Sequence, residues 1–169
     1  INIKDLKSKI SSKTKFIIIN SPNNPTGRVM SKEELLQIAD LARENPNINI
    51  LSDEIYELIL KKEFKHYSLS SLANDLKDRI FIINGFAKGW AMTGWRIGYL
   101  VGPKDVIKAS SALQSQSTSN VCSFVQKGAL EALKINNEFF SMINSHYDQR
   151  RRLLYEGLNN INGIYIEEP

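Results

Sequence analysis

The stretch FIIINSPNNPTGRVMSKEELLQIADLARENPNINILSDEIY, residues 16–56, decides the architecture. It opens on an apolar run, Phe16 to Ile19, and a second run, Ile48 to Leu51, follows near its end. Such continuous apolar runs suit strands covered on both faces of a parallel sheet, since a half-exposed strand alternates apolar and polar residues. Between them Ser31 and Glu34 form a capping box, and Leu35, Ile38, Ala39 and Ala42 recur on one helical face. Strand, helix and strand in that order predict a parallel pair joined by a crossover helix.

Working outward, a third apolar run spans Ile80 to Ile83 after a short helical connection from Ser70 to Asp78. A fourth strand is predicted at Ile97 to Val101, ended by Gly102 and Pro103, with Pro103 in the first turn of a helix carrying Val106, Ile107 and Ala109. From about residue 121 the chain reads as helical, with Phe140, Ile143, Tyr147, Leu154 and Leu158 at helical intervals. Gly163 breaks this last long helix, and Ile164 to Ile166 is expected to begin a strand that stops at Pro169. The pattern predicts an α/β domain on a mainly parallel sheet, without internal repeats or low-complexity segments.

Composition narrows the classes. Of 169 residues, 42% are hydrophobic and 24% charged, which predicts a folded globular chain. The first residue is Ile1, not Met, and this leads us to expect a piece of something longer. No apolar run reaches the length of a membrane span, and no leader-like segment opens the sequence. Cys122 is the lone cysteine and the histidines, His66 and His146, are far apart, so no metal cluster is expected and a reducing cytoplasm fits. The net charge of +4 includes the run Arg150, Arg151 and Arg152, which reads as a solvated helix face and not a nucleic-acid contact.

The residues that carry chemistry fall just past the predicted strand ends, where open α/β sheets bind ligands. First comes the rigid loop from Asn20 to Gly27, with two prolines. Then Asp53 ends the second strand, and a buried acid there needs a cation or serves as a helix cap. Third is the segment from Asn84 to Tyr99, where Lys88 sits among small and apolar residues with Arg96 eight positions later. A lysine so placed loses hydration, which favours the neutral, nucleophilic amine. Its glycines do not match G-x-G-x-x-G, and Gly89 follows Lys88 where a P-loop has Ser or Thr. No nucleophile triad is available, because both histidines lie outside these motifs.

Together, Asn23-Asn24-Pro25-Thr26-Gly27, Ser52-Asp53-Glu54-Ile55-Tyr56, Ala87-Lys88 and Met92-Thr93-Gly94-Trp95-Arg96-Ile97-Gly98 resemble, in order and spacing, the signatures of the class I and II aminotransferases of fold type I. The similarity continues through Gly102-Pro103-Lys104, Gln114 to Thr118 and the closing helix, and it is strongest to bacterial aspartate aminotransferases, including those that accept prephenate.

The resemblance implies pyridoxal 5'-phosphate as cofactor, held by Lys88 as a Schiff base, with the same amine then carrying protons at the substrate α-carbon. It implies Asp53 opposite the pyridine nitrogen, Tyr56 and Asn24 donating to the phenolic oxygen, Asn24 also on the substrate side, and Arg96 on the phosphate. Many relatives carry serine where this chain has Ala87, which puts one phosphate contact in doubt. It further implies a division into large-domain residues 1–136, an interdomain helix 137–158 and the start of a small domain at 159–169. In the family the glycine-rich phosphate loop and ring-stacking aromatic come earlier and the substrate-carboxylate arginine later, so weak or no turnover is expected from this chain alone. A cytoplasmic homodimer acting on an acidic amino acid and a 2-oxo acid is the implied whole. A carbon–sulfur lyase of the same fold, a sensor module of a transcription regulator and a cofactor-free α/β domain are the alternatives.

Overall fold

The computed structural model describes residues 1–168. Four strands, β1 (Phe16–Asn20), β2 (Asn49–Asp53), β3 (Ile80–Gly85) and β4 (Gly98–Val101), form one sheet in the order β1-β2-β3-β4. The first three run parallel and β4 is antiparallel to β3, so the sheet is mainly parallel as the sequence predicts. Helix α1 (Ile3–Lys9) precedes β1, α2 (Lys32–Glu44) links β1 to β2, and the short α3 (Leu69–Leu72) precedes β3. After β4 come α4 (Lys104–Ser117), α5 (Ser123–Ala132) and α6 (Asn137–Asn159).

The core lies under one face of the sheet. Ile17, Ile19, Ile50 and Ile80 meet Leu35, Ile38, Ala39 and Ala42 of α2 and Leu69 of α3, and Ile38 is fully buried. Both halves of the capping box that starts α2 are formed: Glu34 N donates to Ser31 Oγ at 3.2 Å and Ser31 N donates to Glu34 Oε2 at 3.0 Å.

Several expectations are corrected. Coverage of both sheet faces is met on one face only among the described residues: Ile18 is 69% exposed, and Phe16, Ile83 and Leu100 on the same face are also exposed. Continuous apolar runs report two apolar faces, not what covers them. Pro103 sits just before α4 as its cap and not within its first turn. The helical reading from residue 121 is broken at Leu133 to Asn136, because the Asn136 side chain caps a new helix by accepting from Phe139 N at 3.4 Å. No strand forms at Ile164 to Ile166; instead Ile166 N donates to Asn159 Oδ1 at 3.1 Å, a side-chain partner in place of a ladder. Pro169 lies outside the described residues. Helix α1 was not expected; Asn2 caps it, and Ile3, Leu6 and Ile10 at helical spacing rest on the core.

Candidate active site

Strand register brings the site together. Asn20 is paired with Asp53, and Asp53 with Ile83, so the ends of β1, β2 and β3 reach one sheet edge in line. The loops carrying Asn24, Tyr56 and Lys88 all leave from that edge.

The first loop is held by its own side chains. Asn20 Oδ1 accepts from Asn24 N at 3.0 Å and from Asn23 Nδ2 at 3.2 Å, and Asn23 Oδ1 accepts from Thr26 Oγ1 at 2.7 Å. The Ser21–Pro22 and Asn24–Pro25 peptides are cis. From this frame Asn24 Nδ2 donates to the Tyr56 hydroxyl at 3.2 Å.

The second loop follows β2. Asp53 caps no α-helix; its Oδ1 accepts from Ile55 N at 3.2 Å, and among the described residues no cation pairs with it. Tyr56 lies in the turns beyond, where Asn144 of α6 ties the chain by donating to Leu58 O at 2.9 Å and accepting from Leu60 N at 3.2 Å.

The third loop joins β3 to β4 and is closed at its base, where Phe86 N donates to Ile97 O at 3.3 Å. Lys88 is flanked at two residues' distance by Phe86 and Trp90, whose rings pack 4.8 Å apart in a second small core with Ala129 and Ala132 of α5. Trp90 Nε1 also donates to Ala132 O at 3.0 Å. Gly89 lets this loop touch the second one: a Cβ there would fall 2.8 Å from Leu58 Cβ. With its neighbours rooted, the half-buried Lys88 ammonium lies 5.6 Å from the centre of the Tyr56 ring.

Arg96 sits on the same closed loop, exposed, with its backbone at φ +53° and one guanidinium nitrogen donating to Thr93 O at 3.1 Å. A left-handed arginine is uncommon and marks a position over-determined by its surroundings. The structure therefore joins Asn24, Tyr56 and Lys88 through the Tyr56 side chain, sets Asp53 at the same sheet edge, and gives Arg96 no hydrogen bond or ion pair with the other four among the described residues.

One group escaped the sequence reading. His66 was set aside as remote from every motif, yet it lies beneath the sheet edge against Glu54 and Glu57, all three offering ligand-type atoms within 4.8 Å of one another. Glu54 is 3% exposed. Partial loss of hydration pushes the nearby Tyr99 hydroxyl above its ordinary pKa, and the charges of Glu57 and Glu54 add to the effect. The only signal in the sequence was the acid pair flanking Tyr56, and nothing in it named the histidine.

Known proteins share the sequence and fold of this chain. The family model described as aminotransferase class I and II matches residues 1–169. The chain is 46% identical over 167 residues to a probable aspartate/prephenate aminotransferase of Rickettsia typhi, covering 99% of this chain and 41% of that protein. Among solved structures it superposes on an aspartate aminotransferase from Rhizobium meliloti with a TM-score of 0.95 at 34% identity, covering 100% of this chain and 42% of the other. It also superposes on the Thermus thermophilus aspartate aminotransferase with maleate, with a TM-score of 0.87 at 42% identity, covering 94% and 41%. The chain thus spans about two fifths of the length of the relatives it matches.

Proposed function

The chain belongs to the class I and II aminotransferases, and from that premise we propose that it serves transfer of an amino group between an acidic amino acid and a 2-oxo acid, with pyridoxal 5'-phosphate as cofactor. The observation that carries the reading is the contact of Asn24, Tyr56 and Lys88 at the sheet edge that also presents Asp53. The residues fit such a cofactor on their own chemistry. A primary amine suits an aldehyde, an acid without a cationic partner among the described residues suits a protonated ring nitrogen, and a guanidinium with free N–H groups suits a phosphate.

Pyridoxal phosphate, when bound, supplies a ring that accepts electrons from the substrate α-carbon. Lys88 would hold the aldehyde through its amine and would carry the proton at the substrate α-carbon. Rooting Phe86 and Trp90 in the second core keeps the amine in place for both roles. Tyr56 accepts its hydrogen bond from Asn24, so the phenolic proton of Tyr56 is free to be donated onward, as is the second N–H of Asn24. Asp53 would hold a proton on the ring nitrogen, Arg96 would hold the phosphate, and Asn24 would also border the substrate.

The reading extends to a cytoplasmic homodimer, with α6 running from the large domain, residues 1–136, to a small domain beginning at residue 159. No helix among the described residues is long and apolar enough to cross a membrane. The test is an absorbance band from bound cofactor in the full-length protein, lost in Lys88→Ala, together with conversion of aspartate or glutamate to its 2-oxo acid that requires an acceptor. Keto acid released without an acceptor refutes transamination, and an unchanged band in Lys88→Ala refutes the role of that amine.

A further inference from the structure

Asp53 stands between two side chains tied to each other. Successive residues of a strand face opposite sides, so Ser52 and Glu54 point beneath the sheet while Asp53 points above it. Beneath, Ser52 Oγ donates to Glu54 Oε1 at 2.8 Å, and Ser68 Oγ donates to the same oxygen at 3.0 Å. His66 Nε2 lies 3.2 Å from the other oxygen, Oε2, and 4.0 Å from Glu57 Oε2. Glu57 Oε1 accepts from Asn84 Nδ2 at 2.7 Å, and Asn84 is itself buried in β3. Four separate segments therefore meet on one carboxylate pair, Glu54 buried and Glu57 half-buried: the end of β2, the turn holding Tyr56, the 66–68 strap before α3, and the end of β3.

Two acids and an imidazole at this spacing could equally suggest a metal ion. The hydrogen bonding argues otherwise. Both Glu54 oxygens and one Glu57 oxygen are already met by protein groups, and among the described residues no buried side-chain nitrogen or oxygen lacks a partner. A carboxylate satisfied in this way holds position instead of awaiting a ligand.

We infer that His66 and Glu54 are positioning residues, a buried clamp that fixes the backbone at 52–57 and so sets the direction of the Asp53 carboxylate and the height of the Tyr56 ring; this rests on the cofactor reading above. The clamp acts from the opposite side of the sheet and touches neither cofactor nor substrate. Charge is part of it: Glu54 is buried, so losing the His66 N–H leaves an acid that reorganises by drawing in water or turning out.

The experiment uses the full-length protein with its cofactor and the variants His66→Ala, His66→Gln and Glu54→Gln. Two signals are read: the circular dichroism that the bound cofactor acquires from its fixed orientation, and amide hydrogen exchange across residues 53–58. In His66→Ala the cofactor signal should change by at least about twofold and exchange should rise about tenfold or more, while His66→Gln, which keeps an N–H donor, should restore most of both. Ile38→Ala serves as the control for instability alone and should leave the cofactor signal unchanged. If His66→Ala fails to fold, the comparison of Glu54→Gln with His66→Gln decides: the former should disturb both signals and the latter should keep most of both.

An unchanged cofactor signal and unchanged exchange in His66→Ala overturn the clamp, as does a zinc ion held tightly by the parent and lost in that variant. A parent without any cofactor band sinks the cofactor reading instead, and the exchange arm then still decides whether the clamp holds the loop.

Discussion

The indole of Trp95 lies so close over Gly128 of α5 that a Cβ added to the glycine would fall 2.2 Å from Trp95 Cζ3. Trp95 immediately precedes Arg96, so the packing of a helix more than thirty residues downstream sets where the guanidinium begins.

Gly128→Ala is therefore expected to displace the indole. Since Trp95 is partly exposed and can give way, the stability loss should be near the lower end for overpacking, about 1 kcal/mol. Tryptophan fluorescence should shift, and affinity for pyridoxal phosphate should fall more than affinity for pyridoxal, since the phosphate partner moves.

Asp53→Asn should separate binding from chemistry. Replacing the carboxylate by an amide of the same shape removes the charge opposite the ring nitrogen, so kcat in the full-length enzyme should fall by roughly 100-fold or more. Cofactor affinity should fall far less, which equilibrium titration of the absorbance band measures.

Tyr99 gives a pH dependence with a definite sign. Its ionisation is shifted upward by partial loss of hydration and by the charges of Glu57 and Glu54, so the folded protein keeps this proton to higher pH than the unfolded chain does. The stabilising contribution is fully present below the unfolded value near pH 10 and is lost as pH rises through the folded one. Thermal unfolding followed upward from pH 9 should show a decline that is shallower in Tyr99→Phe, and phenolate absorbance should report a late-titrating tyrosine in the parent that the variant lacks.

Ile38→Ala removes a fully buried side chain from the centre of the contact between α2 and the sheet. Denaturant unfolding should show a loss of about 2–5 kcal/mol, with the slope unchanged.

Much of the candidate site was legible because its residues are local in sequence. Lys88 and Arg96 share one loop, and Asp53 and Tyr56 share another, so spacing marked the loops as candidates and the family resemblance supplied the roles proposed for their residues. Strand positions followed from apolar runs for the same reason. His66 stayed hidden because its significance arises only when the 66–68 strap folds under β2, a contact that no periodicity records. The cap at Asn136 was missed because apolar spacing continues across the break, and one side-chain hydrogen bond decides the boundary. Helix α1 was legible in retrospect through Asn2 and its apolar spacing.

Asp53 and Glu54 are chemical near-twins one peptide bond apart, assigned to opposite compartments by nothing more than which way the pleat turns. A deletion of Ile50 or Leu51 that kept the hydrogen-bond ladder up to that point would exchange their posts, sending the longer acid up to the ligand side and the shorter one down beneath the sheet. The damage from such a lesion would come from transposition, with every functional group still present in the polypeptide and each on the wrong storey.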